Sequence, residues 1–150
     1  MDELDKNILI ELQKEGRLSN EQLAKRVNLT ASPCLRRIRA LEKNQVIVGY
    51  AAQVDQKKVG LDVTAFIHIK LERHSEQSIN EFEQAVKDIP EILECYLMTG
   101  DWDYLLRIAT KNLDTYEQFV RHKVHRIPWV ASMDSRFAYG AVKRTAVYPL

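Results

Sequence analysis

Arg36, Arg37 and Arg39 lie within a segment, Lys25 to Lys43, that carries six basic side chains (Lys25, Arg26, Arg36, Arg37, Arg39, Lys43) against one acidic one, Glu42. Guanidinium groups clustered in this way recognise partners rather than make bonds. The planar fork matches the two acceptors on the major-groove edge of guanine, and its charge suits phosphate. No comparable set points to catalysis. The four histidines (His68, His74, His122, His125) are scattered. His122 and His125 stand one helical turn apart, but no cysteine or clear third ligand accompanies them, so surface or interface positions are expected and no metal site. Asp101 and Asp103 pair two carboxylates as acid–base chemistry requires. Their setting, Gly100-Asp101-Trp102-Asp103, reads as a turn and favours a structural role or a ligand contact. There is no glycine-rich phosphate loop and no nucleophile motif, so neither enzymatic activity nor a cofactor is expected.

The arginines need a scaffold, and the flanking residues supply one. Ser19 caps a helix, with Gln22 closing a capping box. Leu23, Ala24 and Val27 then share an inward face. Asn28-Leu29 makes the corner, because Asn tolerates the left-handed conformation of a tight turn. Thr30 caps the next helix, and Pro33 sits in its first turn, where a missing N–H costs nothing. At about 100° per residue, Leu35, Ile38 and Leu41 cluster with Cys34 beside them. Arg36 lies opposite, on a face shared with Ser32, Pro33, Ala40 and Lys43, while Arg37 and Arg39 stand at the margins and suit phosphates. An earlier helix, Asp2 to Glu15, stripes Leu4, Ile8 and Leu12 with Leu9 alongside and is ended by Gly16. This is a helix-turn-helix of winged-helix or homeodomain-like type, with double-stranded DNA as partner. The candidate DNA contacts are Ser19, Asn20, Thr30, Ala31, Ser32, Pro33, Arg36, Arg37, Arg39 and Lys43. A merely solvated basic face is the bland alternative, and the agreement of caps, turn, proline and charge placement argues against it. Gln45 to Val54, rich in Val, Ile and Tyr, predicts a strand serving as short wing and linker.

The net charge of +1 over 150 residues hides an asymmetry. Residues 1–50 carry nine basic and seven acidic side chains, residues 51–150 thirteen and fourteen, so the basic character is local. Cys34 and Cys95 are isolated in apolar patterns and are expected as buried thiols rather than a disulfide. No apolar run is long enough to span a membrane, and the Met-Asp-Glu start lacks a signal-peptide core, so a cytoplasmic location is expected.

From Val63 the pattern changes. Val63, Ala65, Ile67, Ile69 and Leu71 alternate with Thr64, Phe66, His68 and Lys70, as in a strand with two unlike faces. A helix follows with Ile79, Phe82, Ala85, Val86 and Ile89 inward, then strands at Ile92 to Thr99 and Tyr104 to Ala109. Asp114 to Arg126 is a helix buried through Tyr116, Phe119, Val120 and Val124, and Val130 to Val142 is a last strand. The fold class is α+β: a helix-turn-helix domain (1–45), a strand or linker (46–61) and a ferredoxin-like βαββαβ domain (62–150). Both helices should cover one sheet face. The other carries Phe66, Tyr96 or Leu97, and Phe137 or Tyr139, and is expected to pair with a second copy.

Several runs resemble one family, the Lrp/AsnC or feast/famine regulators. They are Leu4-Asp5-Lys6-Asn7-Ile8-Leu9, Gly16-Arg17-Leu18-Ser19, Leu29-Thr30-Ala31-Ser32-Pro33-Cys34, Arg37-Ile38-Arg39-Ala40-Leu41-Glu42, Ile47-Val48-Gly49-Tyr50 and Thr99-Gly100-Asp101-Trp102-Asp103-Tyr104-Leu105-Leu106. Together they span almost the whole chain and look most similar to the leucine-responsive branch. The resemblance implies an ACT-like regulatory domain, homodimers that assemble further into rings of four dimers (an octamer), and an amino-acid effector bound near the Gly100–Tyr104 turn. On that basis the effector-linked residues are Leu97, Thr99, Gly100, Asp101, Trp102, Asp103, Tyr104 and Arg136, with Asp103 foremost. Backbone N–H groups of the turn would hold a carboxylate and Asp101 or Asp103 an ammonium. The expected function is sequence-specific transcription regulation tuned by an amino acid. A nucleoid-type architectural protein that bends DNA without an effector is the rival, and a cryptic amino-acid enzyme comes third.

Overall fold

The computed structural model describes residues 1–150, which fall into two units, Met1–Gln53 with Lys143–Leu150 and Val54–Val142. These differ from the predicted bounds: the expected linker, 46–61, is divided between the two units at Gln53/Val54, and residues 143–150 belong with the N-terminal unit. There the Gln13 side chain and the Tyr148 backbone exchange hydrogen bonds of 2.6 and 3.3 Å.

The N-terminal unit has three helices, α1 (Glu3–Lys14), α2 (Asn20–Arg26) and α3 (Ala31–Lys43). Capping boxes start the first two: Asp2 with Asp5, and Ser19 with Gln22. Asn28 takes the left-handed corner at φ 55°. Ile8, Leu23, Cys34 and Leu41 form the core with Val27.

Four expectations need correction here. Leu35 is 36% exposed, because the buried stripe of α3 is Cys34, Ile38 and Leu41. Leu35 lies one step, about 100°, off that stripe. Thr30 holds the N-cap position of α3 but makes no side-chain cap bond. Its usual acceptor geometry reaches the N–H of the third helical residue, and that residue is Pro33, which has none. Glu15, not Gly16, caps α1, and Gly16 stays out of the left-handed region. Finally, residues 45–54 form no strand. Gln45 turns left-handed at φ 56°, and the amides of Val46 and Ile47 close back on the Leu41 carbonyl at 2.9 and 3.2 Å. Those donors are spent ending the helix rather than on a ladder.

The second unit contains β1 (Val63–Leu71), α4 (Glu76–Lys87), β2 (Ile92–Leu97), β3 (Tyr104–Thr110), α5 (Leu113–His122) and β4 (Val130–Ala138). The strands run in the order β2-β3-β1-β4, every pair antiparallel, which is the ferredoxin-like arrangement. The predicted second helix stops at His122. The chain then tightens into a 3-10 turn, Val124–Arg126, before Ile127 becomes extended ahead of Pro128. β2 ends at Leu97 and β4 at Ala138, each short of the predicted strand.

Ala65, Ile67 and Ile69 of β1 and Leu106 and Ile108 of β3 are buried under α4 and α5. The Phe82 and Tyr104 rings pack 4.4 Å apart in that core. Phe137 belongs to this face, not to the open one. Its register partner is Ala65, and its ring meets Tyr116 edge-on at 4.8 Å. Tyr139 lies beyond the end of β4. Cys34 is buried as expected, but Cys95 is exposed because β2 is an edge strand. Partial burial, with Glu83 nearby, still pushes its thiol up to about 11.

Phe82→Ala removes the largest apolar plug between α4 and the sheet. It should cost about 3–5 kcal/mol in urea unfolding.

Candidate DNA interface and ligand turn

The cations of residues 1–53 divide into two groups. Lys6 pairs with Glu3, Lys14 with Glu11, Arg26 with Glu11 and Glu15, and Arg37 with Asp2 and Asp5. Every one of these carboxylates belongs to α1 or its cap. Arg36, Arg39 and Lys43 of α3, together with Arg17 and Lys25, are exposed and make no hydrogen bond or ion pair. Arg36 shares its face with Ser32, Ala40 and Lys43, all exposed, and with the half-buried Pro33. A small, cationic, unpartnered helix face of this kind can enter a major groove and present a guanidinium to base edges.

Other predicted contacts are placed differently. Asn20 donates its carboxamide to the Ala31 carbonyl at 2.8 Å, so it fastens the start of α2 to the start of α3. Ser19 is occupied by its capping box, while Thr30 and Ala31 remain exposed at the N-terminus of α3. Arg37 is half-buried between two carboxylates and does not stand free for phosphate. Arg17 was missed as a candidate. Its place just before the Ser19 cap, in a stretch otherwise paired with acids, was the available signal.

In the second unit the turn after β2 is tied to the end of β1. Met98 N–H bonds the Asp103 carbonyl at 2.8 Å, Asp103 N–H bonds the Ile69 carbonyl at 2.9 Å, and Lys70 Nζ reaches the Asp101 carbonyl at 2.8 Å. The Asp103 carboxylate, 12% exposed, accepts from the Leu71 N–H at 2.7 Å and meets His74 Nε2 at 2.8 Å, with Lys70 Nζ at 3.5 Å. Burial alone would raise its pKa. The Leu71 N–H, His74 and Lys70 outweigh it, and the carboxyl lies below its ordinary value. Tyr104 is only 2% exposed, and its hydroxyl donates to Glu83 at 2.9 Å, so it faces the core. Leu97, Thr99, Gly100 and Asp101 face outward. Gly100, at φ 107°, has nothing within 4 Å of where a Cβ would stand.

Arg136 is not beside that turn. It sits on the open sheet face in register with Phe66 and pairs with Asp134 at 2.8 Å. A chain of side chains bridges the interval. Asp134 lies 3.9 Å from His68 Nδ1, and the His68 ring lies 5.7 Å from that of Trp102 in the turn. His68 Nδ1 is buried without a hydrogen bond. Its alternation with Phe66 and Lys70 placed it on the open face but gave no hint of this bridge.

Two family models cover the chain: a winged helix-turn-helix DNA-binding domain over residues 1–48 and the Lrp/AsnC ligand binding domain over residues 64–148. The chain is a DNA-binding transcription regulator, and it belongs to the Lrp/AsnC family. It is 35% identical over 150 residues to the DNA-binding transcriptional activator DecR of Escherichia coli K12, covering 100% of this chain and 99% of that one. It is 39% identical over 130 residues to the leucine-responsive regulatory protein of the same organism, covering 87% and 79%. Its fold matches a transcriptional regulator from Neisseria meningitidis solved as an L-Met complex, with a TM-score of 0.93 and 34% identity over 99% of this chain and 96% of that one.

Two outcomes follow from this geometry. Arg36→Ala should weaken binding to a selected DNA site by about 1–3 kcal/mol and relax sequence preference, while leaving the melting temperature within a degree or two of the parent. DNA titration and thermal melting measure both. Asp103→Ala leaves the Leu71 N–H unpaired and should cost about 1–3 kcal/mol at neutral pH. Because the folded carboxyl titrates below its unfolded value, its stabilisation is full above about pH 4 and drains as pH falls through the lower folded value. The difference between parent and variant in urea unfolding should therefore shrink on acidification.

Proposed function

We propose that this chain is a homodimeric or higher-order regulator of the cytoplasm whose affinity for imperfectly palindromic DNA responds to a small amino acid bound at the Gly100 turn. One observation carries the reading: a helix-turn-helix with unpaired cations Arg36, Arg39 and Lys43 on α3 shares a chain with a ligand-binding domain. In this proposal the turn's backbone and Asp101 face the ligand, Leu97 and Thr99 border its side chain, and Asp103 holds the turn in place. The open sheet face, with Phe66, Tyr96, Trp102 and Leu105, takes a second copy, and dimers assemble further. A two-fold dimer presents two α3 helices and so prefers two-fold DNA sites.

The test is a thermal-shift screen against the twenty amino acids, with L-methionine as the first probe because the Neisseria regulator was solved with it. A ligand of the native state at about a hundred times its Kd adds about 2.7 kcal/mol by mass action. That should appear as a rise of several degrees for one or a few amino acids, reduced in Asp101→Asn. No shift with any of them would overturn the effector assignment in favour of an architectural DNA-bending role.

A further inference from the structure

Arg37 is adjacent to Arg36 on α3, yet it is bound differently from every other arginine of that helix. Its Nη1 reaches Asp2 Oδ1 at 3.0 Å, Asp2 Oδ2 at 2.9 Å and Asp5 Oδ1 at 2.7 Å. The same carboxylates build the capping box of α1. Asp2 Oδ1 accepts from the Asp5 N–H at 2.9 Å, and Asp5 Oδ2 accepts from the Asp2 N–H at 3.0 Å. The side chains of Arg37 and Asp5 are 28% and 17% exposed. A phosphate would have to displace two carboxylates to reach Nη1 of Arg37.

What needs such a tie is the roll of α3 about its own axis. The buried stripe of the helix is narrow, comprising Cys34, Ile38 and Leu41, and Leu35 is left outside. A narrow stripe packed on two short helices fixes a helix's position better than its rotation. Each residue turns the helix by about 100°, so a modest roll carries Arg36 and Arg39 away from their groove directions. Arg37 stands at the margin between the buried stripe and the exposed face, where a tether resists rotation with the greatest leverage.

We propose that Arg37 is a positioning residue for DNA reading rather than a phosphate contact: anchored in the α1 capping box by Asp2 and Asp5, it sets the roll of α3 and hence the aim of Arg36 and Arg39. This rests on α3 being the groove-reading helix.

The experiment measures binding of the full-length protein to a duplex selected from random sequence and to a random duplex, across a series of salt concentrations. The variants are Arg37→Lys, Asp5→Asn and Arg37→Ala, each checked for folding by circular dichroism. A phosphate contact contributes about 0.9 to the slope of log K against log salt, and lysine can replace arginine in that role. Lysine keeps the charge, but its Nζ ends one bond short of the place where Arg37 Nη1 meets both carboxylates, so it should not restore the tether. The expected result is that Arg37→Lys and Asp5→Asn both lose about tenfold or more on the selected duplex. The random duplex should change little, and the salt slope should stay at the parent value. General destabilisation would not alter the selected-to-random ratio of folded protein. The proposal is overturned if Arg37→Lys binds like the parent, if loss of Arg37 lowers the slope by about one, or if Asp5→Asn tightens binding and steepens the slope by freeing a cation. Should Arg37→Ala fail to fold, the other two variants decide. A parent protein with no preference for its selected duplex would remove the groove-reading assignment itself, a result distinct from variants that match a selective parent.

Discussion

A helix that reads DNA must bury one face against its own domain and keep the opposite face clear of protein partners. Everything in the N-terminal unit is arranged around that constraint on α3. Its apolar stripe holds Cys34, Ile38 and Leu41, and of its cations only Arg37 is paired with carboxylates. The carboxylates Asp2, Glu3, Asp5, Glu11 and Glu15 lie along α1 or its cap, and they neutralise Lys6, Lys14, Arg26 and Arg37. Surface ion pairs of this kind add little stability. Their larger effect here is on the field. They pair off four cations and leave Arg17, Lys25, Arg36, Arg39 and Lys43 unpaired among residues 1–53, three of them on α3, so an almost neutral chain keeps local positive charge on that helix.

The second unit is governed by a comparable economy of partners. A turn that carries a glycine at φ 107° would be loose if its ends alone held it. Asp103 prevents this by spending its carboxylate on the last amide of β1 and on His74. On the proposed reading, that commitment separates the roles of the acidic pair: Asp103 serves the scaffold, and Asp101 keeps an unpaired carboxylate at the surface. Trp102 then leans on His68, and His68 approaches Asp134, which holds Arg136. The turn is thus connected to the far edge strand across the open face of the sheet, through side chains and not through the backbone ladder.

Much of this was legible in the sequence, for identifiable reasons. Period-two alternation put Ala65, Ile67 and Ile69 on one face and Phe66, His68 and Lys70 on the other, and the structure has that arrangement. The capping box at Ser19 and the left-handed corner at Asn28 are local chemistry and were readable as such. What escaped depends on partners distant in sequence. The pairing of Arg37 with Asp2 spans most of the domain, and helical periodicity alone left Arg37 at a margin without saying what stands there. Tyr104 read as part of a turn motif, although a hydroxyl bonded to Glu83 and a ring against Phe82 place it in the core. The apolar stretch at 45–54 has strand composition but no neighbour to pair with, and composition cannot supply one. Phe137 changed faces because strand register, which decides it, is a tertiary property.

The exposed side of the turn bears on how a ligand would act. A small-molecule site normally buries most of its ligand. Leu97 is 73% exposed, Thr99 and Asp101 stand outward, and the space over Gly100 is empty of protein atoms. At the turn proposed as the site, one protomer therefore offers a ligand a floor with the Asp101 carboxylate but no opposing wall. On the proposed reading, that wall comes from another copy of the chain, and affinity for the ligand then includes the free energy of bringing the copies together. The reverse holds by reciprocity: whatever shifts the assembly shifts ligand affinity by the same factor. A ligand bound wholly within one protomer, with equal affinity in every assembly, would move no equilibrium however tightly it bound. A half-built site is thus the arrangement in which binding an amino acid and rearranging DNA-reading helices become one thermodynamic event.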